Sequence, residues 1–308
     1  MTFSNSQVLD KYMEHLERVQ RRRPQTVRTY RYTLKEWVKC LNDKPLSDVR
    51  PTDVEDWASR PRRTNQPPSA NTMHREVVVV RVFQQWAHER GYGASTVRSA
   101  HAPSVPSRSP KPVDDDMWLQ LWRTELSDTD RMCFGLGYFA GLRRGEIVSI
   151  EPGQVDTNTG TMRFIRKGGS PEPVEYKAMG NWLDGMPVHE GFDRWCDIVE
   201  QQVACRLELG ANLLWWEGIG DQSSDSERLA RRLRAALIKS GLARDAMSLH
   251  QLRHSAATNL VRSGCPPELI RDALSHSSWD VTSRYAKTSG QMERELNMRR
   301  SREHESQP

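Results

Sequence analysis

The chain has 308 residues, of which 36% are hydrophobic and 28% are charged, and its formal net charge is +5. This length exceeds what a single core usually organises, so two domains are expected. A membrane span needs about 20 apolar residues in a row, and no such run is found in the sequence. The N-terminus carries no basic segment followed by an apolar stretch, and the five cysteines contain no CxxC pair. We therefore predict a cytoplasmic protein without a signal peptide, a disulfide framework or a zinc ribbon.

Positive charge is concentrated in the first third of the chain. Residues 1–102 contain 18 Lys and Arg against 11 Asp and Glu, whereas residues 103–308 contain 27 against 29. Between them, the segment 103–112 reads PSVPSRSPKP, a composition typical of an extended linker. We predict a basic domain over 1–102 that contacts a polyanion, a Pro/Ser-rich linker over 103–112, and a second domain over 113–308.

The first domain is predicted to be all-helical, because its apolar residues recur at helical spacing. The four predicted helices cover 6–20, 26–41, a short stretch after Pro51, and 69–90. The predicted core positions are Val8, Tyr12, Leu16, Val19, Val27, Tyr30, Leu34, Trp37, Val38, Leu41, Val54, Trp57, Val78, Val82, Phe83 and Trp86. Two arginine-rich pieces, 21–23 and 60–63, fall at helix ends, where phosphate contacts are often made. A solvated basic turn is an equally good interpretation of either piece.

The second domain is predicted to be mixed, mostly helix with a small antiparallel sheet. Residues 161–166 form a predicted strand that enters a glycine turn at 167–170, and residues 174–176 form the predicted return strand. The predicted helices cover 114–127, 128–141, 189–209, 226–240, 250–263 and 266–274.

Three segments of the second domain carry the candidate chemistry: GLRRGEI at 141–147, HQLRH at 250–254 and LSHSSWDVTSRY at 274–285. In the second segment, His250 and His254 are four residues apart, as are the two zinc ligands of the metalloprotease HExxH motif. That motif requires glutamate at its second position, where this chain has Gln251. Arg253 shares a helical face with His250 and attracts anions, so we interpret the segment as a phosphate clamp.

Taken in order, the three segments resemble the boxes of the tyrosine recombinase (phage integrase) family. The matching residues are Gly141-Leu142-Arg143 with Glu146, His250-x-Leu252-Arg253-His254, and Leu274-Ser275-His276 with Tyr285 nine residues later. The family's hairpin lysine corresponds to Lys167, with Arg166 and Lys177 as rival positions. Ser275 stands where the family usually has glycine, and so does Arg166. The resemblance covers nearly the whole chain and implies an all-helical SAM-like core-binding domain joined to a mixed α+β catalytic domain.

The resemblance also implies a role for each residue. Tyr285 would attack the scissile phosphate, and Arg143 and Arg253 would bind its non-bridging oxygens. Lys167 would protonate the departing 5′-oxygen, and His250 would transfer a proton or bond the phosphate. His276 would bond the phosphate as well. Glu146 is assigned to orienting Arg143. His254 and Arg144 are assigned structural or supporting roles. Trp279 is assigned to packing of the tyrosine segment, and an additional contact with DNA is an equally good interpretation.

The implied activity is site-specific DNA strand exchange through a 3′-phosphotyrosine, with neither metal nor cofactor. The implied partner is double-stranded DNA with an inverted-repeat core site, bound by a dimer and synapsed as a tetramer. We expect the Xer- or Cre-like two-domain type, with the segment after Tyr285 docking on a neighbouring subunit. There are two alternatives: a type IB topoisomerase, which uses the same chemistry to relax supercoils without a partner site, and a non-catalytic DNA-binding protein on the same fold.

Overall fold

The structure is a computed structural model, and it describes residues 3–42, 44–61, 65–105, 111–165, 171–215, 222–242 and 247–274. The chain divides into two compact units, residues 1–107 and 108–308. Each unit has its own hydrophobic core. The domain and linker boundaries at 102/103 and 112/113 stay predictions. None of the described helices combines the length and the apolar character that a membrane crossing requires.

The first unit is helical. Its helices are α1 (Asn5–Glu14), α2 (Pro24–Leu41), α3 (Pro51–Ser59) and α4 (Ala70–Glu89). Local sequence signals fix where they begin: Ser4 and Gln7 form a reciprocal capping box at α1, and α2 and α3 each start with proline.

The core of the first unit is rich in aromatic contacts. The rings of Trp37 and Trp57 meet edge to face at 5.3 Å, and Tyr12 lies 5.3 Å from Phe83. Most residues predicted to face inward do so. Two are exposed, Val19 at 68% and Val82 at 43%, and Val78 is only partly buried and lies outside the core cluster.

Both exceptions have a backbone cause. Residues His15–Val19 form a wide turn in which the backbone N–H of Gln20 donates to the carbonyl of His15, and this turn rotates Val19 outward. In α4, the run of four valines at 77–80 leaves the helical phase ambiguous in the sequence. The helix buries Val80, Phe83 and Ala87, which turns Val82 to the surface.

The second unit is mainly helical and contains a small antiparallel sheet, as predicted. Its helices are α5 (Asp115–Arg123), α6 (Asp128–Tyr138), α7 (Arg144–Ile147), α8 (Tyr176–Leu183), α9 (Glu190–Glu208), α10 (Gln222–Lys239), α11 (Leu249–Arg262) and α12 (Pro267–Leu274). The strands β1 (Val155–Asp156), β2 (Thr161–Ile165) and β3 (Pro171–Glu175) pair in that order. The prediction of Tyr176 as strand was wrong, because this fully buried residue begins α8.

Helix α6 is the centre of the second unit, because α9 and α11 both pack closely on it. A Cβ added at Gly135 would lie 2.2 Å from the Trp195 ring, and one added at Gly137 would lie 3.2 Å from Cβ of Leu252. Trp195 also donates from Nε1 to the carbonyl of Met132 at 3.1 Å. Glycine on α6 therefore sets the separation of the helices, including that of α11, which carries the candidate site residues His250 and Arg253.

Replacing Gly135 with alanine is expected to destabilise the second unit by about 2 kcal/mol, because the fully buried Trp195 ring would have to move. Hydrogen exchange of the α6 and α9 amides measures this change. Gly153→Ala is the matched control, since a Cβ there meets nothing within 4 Å. Equal protection in the two variants would contradict the packing account.

Candidate active site

Arg143 is placed by the turn that connects α6 to α7. Gly141 in this turn has φ +63°, a left-handed conformation that favours glycine. Arg143 then caps α7, and its backbone N–H donates to Oε2 of Glu146 at 2.7 Å. Its guanidinium Nη1 donates to Oε1 of the same carboxylate at 2.8 Å. Glu146 thus fixes both the main chain and the side chain of Arg143.

Arg253 reaches the same carboxylate from α11. Its side chain is only 4% exposed, and its Nη1 lies 4.0 Å from Oε2 of Glu146. Nη1 donates to the carbonyl of Gly141, and Nη2 donates to the carbonyl of Leu274 at the end of α12. Glu146 therefore lies between two guanidinium groups. The three side chains together carry one excess positive charge, which suits a phosphodiester.

His250 is exposed at the first turn of α11, one turn before Arg253. Partial desolvation lowers its pKa, and the charges of Arg253 and Arg143 lower it further. Both effects favour the neutral imidazole, which is the form that can accept a proton. The structure places Arg143, Arg253 and His250 near one another, and their catalytic roles stay predictions.

Lys177, one rival for the hairpin lysine, lies away from the β2–β3 turn. It lies in α8, two residues after Glu175, which pairs with Thr161 at the opposite end of the two strands. Its Nζ donates to Oε1 of Glu200 at 2.6 Å and to the carbonyl of Thr157 at 2.7 Å. Lys177 therefore forms a structural ion pair with Glu200.

The remaining predicted site residues lie outside the described residues: Arg166, Lys167, His276, Trp279 and Tyr285. Lys167 belongs to the segment 166–170, which joins two strands whose ends pair at Ile165 and Pro171. Leu274, whose carbonyl accepts from Arg253, precedes His276 by two residues.

Of the two arginine-rich pieces in the first unit, one contributes to packing. The guanidinium of Arg60 lies 4.1 Å from the centroid of the Trp57 ring, and Nη1 is 3.5 Å from Oε2 of Glu76. Arg62 and Arg63 lie outside the described residues, and 21–23 are exposed.

Comparison with known proteins decides the family. Residues 119–292 match the model of the phage integrase family, and residues 9–91 match its N-terminal SAM-like domain. The chain belongs to the phage integrase family. This confirms the resemblance to tyrosine recombinases, and the activity of the chain is site-specific DNA recombination.

Two curated relatives in this family are tyrosine recombinases named XerC. The protein from Corynebacterium glutamicum is 23% identical over 92% of this chain and 87% of its own length. The protein from Escherichia coli O157:H7 is 23% identical over 90% of both chains.

Two solved integrase-family structures share the fold. A lambda integrase dimer bound to a COC′ core site has a TM-score of 0.67 and 17% identity, covering 93% of this chain and 95% of that one. The XerH recombinase in a post-cleavage complex with a palindromic difH substrate has a TM-score of 0.65 and 17% identity, covering 96% and 84%.

Sequence reasoning missed how the integrase-family arginines are connected. Glu146 was assigned to Arg143 alone, and the structure shows it bridging to Arg253 as well. Arg253 also donates to the backbone carbonyls of Gly141 and Leu274. Backbone carbonyls are present at every residue, so apart from the glycine itself the sequence does not indicate these bonds.

Proposed function

We propose that this recombinase binds the scissile phosphate of duplex DNA at the cluster of Arg143, Glu146, Arg253 and His250, and that Tyr285 is its nucleophile. The bridging of two guanidinium groups by Glu146, beside a neutral His250, supports this proposal most directly. Fixed positive charge placed where negative charge develops is usually the largest catalytic term.

The proposed reaction is a transesterification. The Tyr285 phenol oxygen attacks phosphorus and gives its proton to neutral His250, because a free phenol with a pKa of about 10 needs a base. The bond from phosphorus to the 5′-oxygen breaks, and Lys167 protonates that oxygen. The products are a 3′-phosphotyrosine and a 5′-hydroxyl. Since the new ester keeps the energy of the broken one, rejoining is the reverse reaction and needs no nucleotide cofactor.

The remaining roles follow the same logic. His276 bonds the phosphate, and the carbonyl of Leu274 ties the chain just before it to Arg253. The position of Lys177 at the far end of the hairpin, together with its ion pair to Glu200, supports Lys167 as the acid.

The proposed partner is a DNA site with inverted repeats, bound by two copies of the chain, with two sites synapsed as a tetramer. Solved relatives support this arrangement, because lambda integrase is found as a dimer on a core site and as a tetramer on a Holliday junction. The proposed location is the cytoplasm, where the chain would meet chromosomal and mobile-element DNA.

The function is tested with nicked duplexes made from the DNA that flanks the gene. Each nick lets the freed strand diffuse away, so a covalent intermediate accumulates and appears as a shifted band on a denaturing gel. We expect the band with the natural chain and its loss with Tyr285→Phe. An equal band in both would reject Tyr285, and tight binding without any band would favour a non-catalytic DNA-binding protein. Relaxation of supercoils without tetramer formation on DNA would favour a topoisomerase.

The two lysines give a matched pair of variants. Lys167→Ala is expected to slow formation of the covalent complex at least about a hundredfold, because the leaving oxygen loses its proton donor. A 5′-thiol leaving group, which departs without protonation, should restore the rate.

Lys177→Ala is the control for this pair. It is expected to cleave within about twofold of the natural chain and to lose at most about 1 kcal/mol of stability from its ion pair with Glu200. Slow cleavage by Lys177→Ala that the 5′-thiol rescues would reverse the assignment.

A further inference from the structure

His254, the second histidine of the α11 segment, contacts His250 directly. The two residues are one helical turn apart, and their ring centroids lie 4.3 Å apart with an angle of 66° between the ring planes. This is an edge-to-face contact, which restricts how the exposed ring can rotate. His250 thus has a rigid neighbour on its own helix.

The surroundings of His254 keep it uncharged. Its side chain is half-buried, and burial followed by the charges of His250 and Arg253 lowers its pKa to about 4. The charges that act on the neighbouring His250 come from Arg253 on α11 and Arg143 at α7, and Glu146 lies beside both guanidiniums. A neutral His254 can pack against His250 without adding a third positive charge to the cluster.

The backbone supports the same arrangement. The hydroxyl of Thr258 donates to the carbonyl of His254 at 2.9 Å, and α11 is packed on α6 through Leu252 and Gly137. The preceding residue, Arg253, donates to the carbonyls of Gly141 and Leu274, which lie in two other segments. His254 therefore sits on a segment whose position is fixed from several sides.

We propose that His254 is a positioning residue that holds the ring of His250 in one orientation through edge-to-face packing, so that His250 can take the nucleophile's proton. This inference rests on the proposed function of His250. It assigns His254 no contact with DNA. The inference concerns the contact between the two rings.

Two substitutions at position 254 test whether an aromatic ring there is what positions His250. His254→Phe keeps the flat ring and is expected to form the covalent complex on the nicked duplex within about threefold of the natural rate. His254→Ala removes the ring and is expected to slow that step about tenfold, with DNA binding in a native gel unchanged. Phe slowing as much as Ala would overturn the proposal.

An NMR titration of His250 provides a readout that a purely structural role would not move. In the full chain labelled with 13C at histidine Cε1, the His250 signal is assigned by its loss in His250→Asn. With His254→Ala, the side of the His250 ring that packs on His254 becomes hydrated, so the pKa of His250 is expected to rise toward its ordinary value, while His254→Phe leaves it lowered. An unchanged titration in His254→Ala would overturn the proposal.

Failure of the proposed function gives a different result. If His250→Asn cleaved at the natural rate, His250 would not be the proton acceptor, and the NMR titration would still show whether His254 fixes its ring. Hydrogen exchange of the α11 amides in both His254 variants verifies that the helix is intact.

Discussion

Arg253→Lys is expected to reduce formation of the covalent DNA complex at least about a hundredfold and to destabilise the second unit by about 3 kcal/mol. The guanidinium donates to carbonyls of two separate segments, at Gly141 and Leu274, and lies 4.0 Å from Glu146. A single ammonium on a flexible stem keeps the charge and loses the planar fork that spans these partners. One of the two buried carbonyls would then lack its donor, and Glu146 would lose the second of its two guanidinium neighbours. Single-turnover cleavage and hydrogen exchange of the α11 amides measure the two effects.

Arg143→Lys is the comparison that separates chemistry from stability. The Arg143 side chain is 35% exposed, and its described bonds go to the neighbouring Glu146. We expect a loss of cleavage similar to that of Arg253→Lys, with a loss of stability of only about 1 kcal/mol. Cleavage by Arg253→Lys within tenfold of the natural rate would contradict the proposed phosphate site. Equal destabilisation by the two variants would contradict the anchoring account.

Gly141→Ala is expected to have the second large effect, with about 3 kcal/mol of destabilisation and at least about tenfold slower cleavage. The left-handed backbone at Gly141 alone costs an alanine about 1–2 kcal/mol. The added Cβ would also lie 2.2 Å from Cδ2 of Leu274, a fully buried residue whose carbonyl anchors Arg253. Displacing Leu274 would shift that anchor and the chain that leads to His276.

Gly185→Ala isolates the backbone part of this effect. Gly185 has φ +77°, and a Cβ there meets nothing within 4 Å. Both variants incur the left-handed strain, and only Gly141→Ala adds the contact with Leu274. Thermal unfolding and cleavage are compared for the two, and equal losses in both would show that the contact with Leu274 is unimportant.

Helix positions and family membership were largely readable from the sequence, because they depend on local pattern and on motif spacing. Spacing of apolar residues located the helices of the first unit, and the prolines at 24 and 51 mark the starts of α2 and α3. The arginine and histidine boxes could be assigned because their residue types recur at a defined spacing. The model of the phage integrase family matches the segment that contains them.

Other features depend on tertiary contacts that no local pattern encodes. Val19 is exposed because the wide helical turn at His15–Val19 rotates its side chain outward. In α4, packing against the core decides which of the consecutive valines are buried. Residues 174–176 have the composition of a strand, but the strand ends at Glu175 and the buried Tyr176 is the first residue of α8. The bridge from Glu146 to Arg253 joins residues 107 positions apart in the chain, so spacing within either box could not reveal it.

Peptide mapping of the trapped covalent complex tests the central claim most directly. The natural chain is incubated with the nicked duplex and digested with protease and nuclease, and the peptide that carries the nucleotide is sequenced by mass spectrometry. We predict one adduct, on Tyr285, linked to the 3′-phosphate of the cleaved strand with a free 5′-hydroxyl on the released one. An adduct on any other residue, or a 5′-phosphate linkage, would contradict the account.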